Sequence, residues 1–300
     1  MSSEESPPAK RQRTENASIT RSEIWHGDGS VILQADGVQF RGLPQPPGQP
    51  SVDGCPVVEL QDSVEDVGHL LKVLYSPYNA LPFSVVAALI GLGRKYDFRE
   101  LLDSAVARLM FDNPSTLKEL DGLNSKLDLQ GSLSHTTRII DYPGILFDML
   151  TLARENDILV ALPCAYFRAA SYHTQAQILD ANAFLGTSAL AEQRRCILGR
   201  QKILTAQSRP GYTLGWVRSW APAEGCTQPE ECNGVRTELL HKCLDALSTW
   251  ALQFYDELGL TFCTACQAPT EAVRAGREKI WEDMPGFFDL PPWSELRNNV

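Results

Sequence analysis

The sequence predicts an α+β chain: a small strand-and-helix domain, then a mostly α-helical C-terminal region. Three observations predict it. A β-hairpin pattern lies at residues 30–41, three amphipathic helical patterns fill 62–111, and beyond residue 138 apolar residues recur almost only at helical spacing. At 300 residues, 43% hydrophobic and 21% charged, the chain has the composition of a globular protein with two domains, each able to bury a core. The net charge of −10 repels phosphate, which argues against nucleic-acid or anionic-membrane partners. No run approaches the ~18 apolar residues of a spanning helix. The N-terminus has no apolar signal segment, and eight cysteines are too sparse for a secreted disulfide scaffold. A cytoplasmic or nuclear location is expected.

Residues 1–21 are polar and read as a disordered tail. Lys10, Arg11 and Arg13 lie close together there, as a nuclear-import signal or as an ordinary solvated stretch. In "SVILQADGVQFR", Val31 and Leu33 alternate with polar neighbours, as do Val38 and Phe40. Asp36-Gly37 between them suits the positive φ values of a type I′ turn. "CPVVELQ", with Val57, Val58 and Leu60, is a third strand. Between these strands stands "GLPQPPGQP", four prolines from Pro44 to Pro50.

Ser63, with Asp66 three residues on, predicts an N-cap. Val67, Leu70, Leu71 and Leu74 then follow at i, i+3, i+4 and i+7. Val85, Leu89, Leu92 and Tyr96 mark the next helix, and Phe98, Leu102, Ala105 and Leu109 the third. A polar, Gly/Ser-bearing stretch closes this domain, placed at 22–120, and 121–138 reads as the linker to the helical region at 139–300. There Pro143 sits at a helix start and Pro163 predicts a break. A helix over 188–208 has Leu190, Ile197 and Leu204 on one side. The longest expected helix, 234–258, carries Leu239, Cys243, Leu247, Trp250, Phe254 and Leu258, and a last one spans 270–284.

The run "DGSVILQADGVQFR", "DGCPVVELQDSVEDVGHLLKVLY" and "FSVVAALIGLGRKYDFRELLDSAVARL" resembles the BTB/POZ domain. It is most similar to the version found in a large group of fungal, basidiomycete-type BTB proteins. The start "PPAKRQRTENA" and the end "IWEDMPGFFDLPPWSEL" are similar to that group as well. The resemblance implies a protein–protein interaction module without enzymatic activity. Its partners would be a like domain or a cullin scaffold of a ubiquitin ligase, with the C-terminal region selecting a client. In that family two helices follow the hairpin. Here Phe40-Arg41 runs straight into Gly42-Leu43-Pro44, so the first helices are missing and the domain is a truncated one. Each core Leu or Val left uncovered forfeits roughly 1.5–3 kcal/mol, so the shortened domain is expected to be marginal or to cover its apolar face with a partner.

For chemistry, the cysteines stand out. Cys226 and Cys232 bracket "CTQPEEC", and Cys263 and Cys266 form "CTAC". Two such pairs suit one tetrahedral structural zinc, although C-x5-C is wider than the usual first pair, and His241 or Cys243 offer substitute ligands. Unliganded thiols and a redox-active dithiol are the other readings of the same residues. Cys55, Cys164 and Cys196 read as small buried side chains. The five histidines are scattered, and neither a phosphate loop nor a G-x-S-x-G turn is present. No catalytic residue is predicted. Two alternatives to the interaction protein remain at this point: a transcription-associated nuclear regulator, resting on Lys10–Arg13, and a metal-dependent enzyme in the helical region, which would need an open ligand position. Trp216, Trp220, Trp281 and Trp293 are expected to pack in the core or to anchor an interface.

Overall fold

The fold is described from a computed structural model, over residues 19–26, 31–42, 51–52, 55–75, 80–124, 138–180, 189–245, 249–252, 261–266 and 269–299. Lys10, Arg11 and Arg13, the Pro44–Pro50 run, and Leu247, Phe254 and Leu258 lie outside them, as do the side chains of Leu74 and Cys243. The chain divides into two compact units, Met1–Tyr78 and Asn79–Val300.

The first unit is a small mixed sheet with one helix. Its strands are β1 (Thr20–Trp25), β2 (Val31–Ala35), β3 (Val38–Gly42), β4 (Ser51–Val52) and β5 (Cys55–Glu59), in the order β1-β3-β2-β5-β4. β2 and β3 form the expected antiparallel hairpin, with Ala35 opposite Val38. Asp36 and Gly37 take φ of 44° and 80°, the left-handed pair that a type I′ turn needs. β5 runs parallel to β2, and β1 parallel to β3. β1 begins within the expected tail. Of its six residues only Ile24 is buried, so it lacks the alternation that marks β2 and β3. Trp25 at its end is flanked by the guanidinium groups of Arg21 and Arg41, 4.4 and 6.0 Å from the ring centre. α1 (Val64–Tyr75) opens where Ser63 Oγ accepts from the Asp66 amide at 3.1 Å. Its Val67 and Leu71 pack with Ile24, Ala35 and Phe40 into one apolar core.

The second unit is helical, and it includes the two helices that sequence reasoning assigned to the N-terminal domain. α2 (Phe83–Lys95) and α3 (Arg99–Asp112) pack against each other, and α4 (Leu117–Asn124) follows inside the stretch expected to close the domain and open the linker. α5 (Ile145–Glu155) leads through a short 3-10 turn to α6 (Leu162–Tyr172), where Pro163 sits in the first turn and so starts a helix instead of kinking one. α7 (Gln175–Leu179) is closed by a capping box between Thr174 and Gln177. α8 (Ala189–Ala206), α9 (Trp216–Ser219), α10 (Pro229–Asp245) and α11 (Pro269–Phe287) follow among the described residues.

The core of this unit is built round α6, against which α5, α8 and α11 pack. Ala165, Ala169 and Ala170 of α6 are buried and small enough to admit neighbouring helices. Tyr166 stacks on Phe288 with ring centres 5.1 Å apart and donates its hydroxyl hydrogen bond to Glu192 of α8. Glu192 is also held by Arg195, at 2.7 Å, and Arg154 donates to the Tyr166 oxygen at 2.9 Å.

This network corrects the expected face of α8. Leu190 is 80% exposed, and Ile197 and Leu204 are only half-buried. The buried stripe runs instead through Glu192, Cys196, Gly199, Ile203 and Ala206. A glutamate and a glycine on the inward face hide the stripe from a hydrophobic count. Glu192 is buried because it is paired. Gly199 is required because a Cβ there would stand 2.2 Å from the Phe288 ring.

The expected helix over 234–258 also differs. It starts earlier, at Pro229, and residues 249–252 are not helical, 251–252 forming a turn. The Trp250 amide donates to Gln207 Oε1 at 2.9 Å, a tertiary bond in place of a helical one. Trp281 and Trp293 stack at 5.4 Å, which makes them packing residues.

Candidate metal centre

Cys226, Cys232, Cys263 and Cys266 come together from two segments of the helical unit. Each is positioned by a short local device. Cys226 closes a turn in which its amide donates to Ala223 O at 2.9 Å. Directly after Gln228, Pro229 starts α10, and Cys232 lies in the first turn of that helix, its amide on Gln228 O at 3.0 Å. The bend between Cys226 and Cys232 lets a wide C-x5-C spacing act as a narrow one, because part of the interval is wound into helix. Cys263 and Cys266 share one 3-10 turn, Cys266 N to Cys263 O at 2.9 Å, which aims both sulfurs to the same side.

The sulfur geometry is specific. The Cys226 and Cys232 sulfurs are 3.8 Å apart, those of Cys226 and Cys263 3.7 Å, and all four lie within 4.8 Å of one another. These are free cysteines, not disulfides. A tetrahedron with zinc–sulfur bonds of about 2.3 Å has edges of about 3.8 Å, so the two shorter separations match its edges and the four cysteines could hold a metal ion.

Backbone amides approach every sulfur. Ala223 N donates to Cys266 Sγ at 3.4 Å and Cys263 N to Cys232 Sγ at 3.5 Å. The Gln228 amide bonds Cys226, and the Cys266 amide bonds Cys263. Donors on sulfur favour the thiolate, the form that binds metal. Burial works to raise the Cys263 thiol, but the Cys266 amide and the three neighbouring sulfurs outweigh it and hold it down to about 7. Its neighbour Cys226 is pushed up to about 12, by burial first and then by the hydrogen bonds of the other three thiols.

An apolar wall backs the cluster. Cys232, Phe262 and Cys266 are buried together, with Trp216, Trp220 and Val235 against them. The Phe262 ring lies 4.9 Å from that of Trp220 and 6.2 Å from that of Trp216. No family profile, curated protein or solved structure matches the chain.

Among the described residues, these four cysteines are the group able to hold a metal ion, and His241 stands outside it. Cys164 and Cys196 are apart from it and buried, each thiol pushed up to about 12, chiefly by burial. Such groups are unreactive packing residues. What sequence reasoning missed is the aromatic wall: Trp216, Trp220 and Phe262 carry no spacing signal that ties them to the cysteines.

Proposed function

We propose that the helical unit contains a closed structural zinc centre, and that the chain acts as a non-enzymatic protein-interaction protein of BTB type. The observation that carries the metal reading is the sulfur tetrahedron with an amide on each corner. Four thiolates fill the coordination of zinc, leave no position for water, and so stabilise structure rather than activate a nucleophile. The ion would fasten the 226–232 turn to the 263–266 turn across the interval between them. That is a large constraint for a region whose local core is small.

The interaction reading is supported by element order: hairpin, strand, then the capped helix α1, in the succession that resembles the shortened BTB/POZ pattern. Partners of the expected kind are a second copy or a cullin-type scaffold.

The test is metal analysis of the purified full chain, before and after Cys263→Ser/Cys266→Ser. One equivalent of zinc is expected in the parent and none in the variant, with loss of protease resistance between residues 216 and 273. A parent chain that takes up no zinc refutes the metal reading. Light scattering of the intact chain tests the interaction reading: self-association or capture by a purified cullin scaffold supports it, and a monomer inert to that scaffold refutes it.

A further inference from the structure

We infer that Cys226 and Cys263 form an oxidation site, at which a peroxide-class oxidant converts the pair to a disulfide and releases the metal. This rests on the zinc reading above. The four cysteines are not equivalent. Cys232 and Cys266 are 2% exposed, sealed by Phe262 and the tryptophans, whereas Cys226 and Cys263 are half-buried and reachable from solvent. The two reachable sulfurs are also adjacent, 3.7 Å apart. Every other pairing within the cluster includes at least one sealed cysteine. A disulfide needs about 2.05 Å between sulfurs, so the pair closes by a local movement once the cation no longer holds the sulfurs apart.

The step balances. The thiolate of one cysteine attacks hydrogen peroxide, the O–O bond breaks, and a sulfenic acid forms with loss of hydroxide. The second thiolate attacks that sulfur, the S–S bond forms, and a second hydroxide leaves. Two protons convert the hydroxides to water. The two thiolates supply the two electrons, peroxide is reduced, and zinc departs with Cys232 and Cys266 left as thiolates that take up protons. The new bond joins the same two turns that the metal joined. Oxidation therefore exchanges a metal clasp for a covalent one, and the helical unit keeps its fold while giving up its ion.

The experiment treats the zinc-loaded full chain with hydrogen peroxide. A chromogenic chelator reads the metal, non-reducing peptide mapping reads the bond, and far-ultraviolet circular dichroism reads the helices. Expected are one zinc released per chain, a Cys226–Cys263 disulfide, unchanged helicity, and rebinding of zinc after dithiothreitol. Zinc retained under peroxide, or a bond mapped to Cys226–Cys232 or Cys263–Cys266, overturns the inference. Cys164 and Cys196 serve as internal controls and should stay reduced. A chain that never held zinc refutes the metal reading instead, and peroxide mapping of that metal-free chain still decides which pair forms. Cys226→Ser and Cys263→Ser should each abolish the disulfide, and mapping of either variant is readable even if its metal affinity falls.

Discussion

Replacing Asp112 by asparagine should flatten the pH dependence of stability between about pH 4 and pH 6. Asp112 ends α3 and is 2% exposed. Its Oδ1 accepts from the Arg138 amide at 3.2 Å, and its buried Oδ2 has no hydrogen-bond partner. Burial raises the carboxyl from 3.8 to about 6, against the opposing pull of the Arg138 and Ile139 amides and the Arg168 charge. A raised carboxyl pKa means that the native state holds its proton more tightly than the unfolded chain. The associated stability is fully present below the unfolded value and is lost as pH rises through about 6. A rise of about two units at ~1.4 kcal/mol each gives about 3 kcal/mol. Asparagine has the same shape, keeps the acceptor for Arg138, and places a neutral amide where the unpartnered oxygen stood. Denaturant titrations of parent and Asp112→Asn at half-unit steps from pH 4 to 8 give the difference directly. The variant should gain about 3 kcal/mol on the parent across pH 4 to 6, then hold constant. Metal loss at low pH affects both chains alike and cancels in that difference. Parallel curves for the two proteins would refute the reasoning, since they would show that Asp112 ionises in the folded chain as freely as in the unfolded one.

Three further outcomes follow from packing. Gly276→Ala places a Cβ 2.3 Å from the Thr213 amide nitrogen, where α11 crosses the 212–213 turn. Helix propensity alone favours alanine by about 1 kcal/mol, but the clash is with backbone, so chemical denaturation should show a net loss at or above the ~1–3 kcal/mol of ordinary overpacking. On α8, Leu190→Lys should change stability by less than about 0.5 kcal/mol, whereas Ile203→Ala should cost about 2–5 kcal/mol. The reverse ranking would restore the apolar stripe through Leu190, Ile197 and Leu204. Thr174→Ala removes the side-chain half of the α7 capping box, the Gln177 amide on Thr174 Oγ1, and leaves the backbone amide of residue 174 on Gln177 Oε1; it should cost about 1 kcal/mol, seen as faster amide exchange at Gln177 and Ile178.

The elements that were legible in the sequence are those whose signal is local. The Asp36-Gly37 turn needs no context, because its positive φ values are a property of two residues. Ser63 caps α1 through a bond three residues away, and α2 and α3 carry their apolar stripes openly in Val85, Leu89 and Leu92 and in Leu102, Ala105 and Leu109, whereas Tyr96 and Phe98, expected in the same stripes, cap the helix ends and are exposed. What was not legible depends on partners far along the chain. Glu192 faces inward only because Tyr166 and Arg154 meet it there, and Gly199 only because Phe288 arrives from the turn after α11. Trp250 leaves the helical pattern only because Gln207 accepts its amide. The assignment of α2 and α3 to the helical unit is of the same kind, since amphipathic stripes say that a face is buried but not against what.

The cysteine cluster lies between these cases. Its four members were readable from residue type and pairing, and the wide first spacing weakened the signal until the structure wound part of the interval into the start of α10. The distinction that matters for reactivity was not readable at all. It comes from Phe262, Trp216 and Trp220, which pack over Cys232 and Cys266 and leave Cys226 and Cys263 half-exposed. Residue spacing specifies that four sulfurs can meet, whereas the neighbouring aromatic rings specify which two an oxidant can reach. A site of this kind therefore has two separable properties, affinity written in the cysteines and redox sensitivity written in the wall behind them. Phe262→Ala should separate them: the four sulfurs remain to bind zinc, while the buried pair opens to solvent and peroxide begins to yield disulfides that include Cys232 or Cys266. Persistence of a single Cys226–Cys263 product in that variant would show that proximity of sulfurs, and not the aromatic shield, selects the pair.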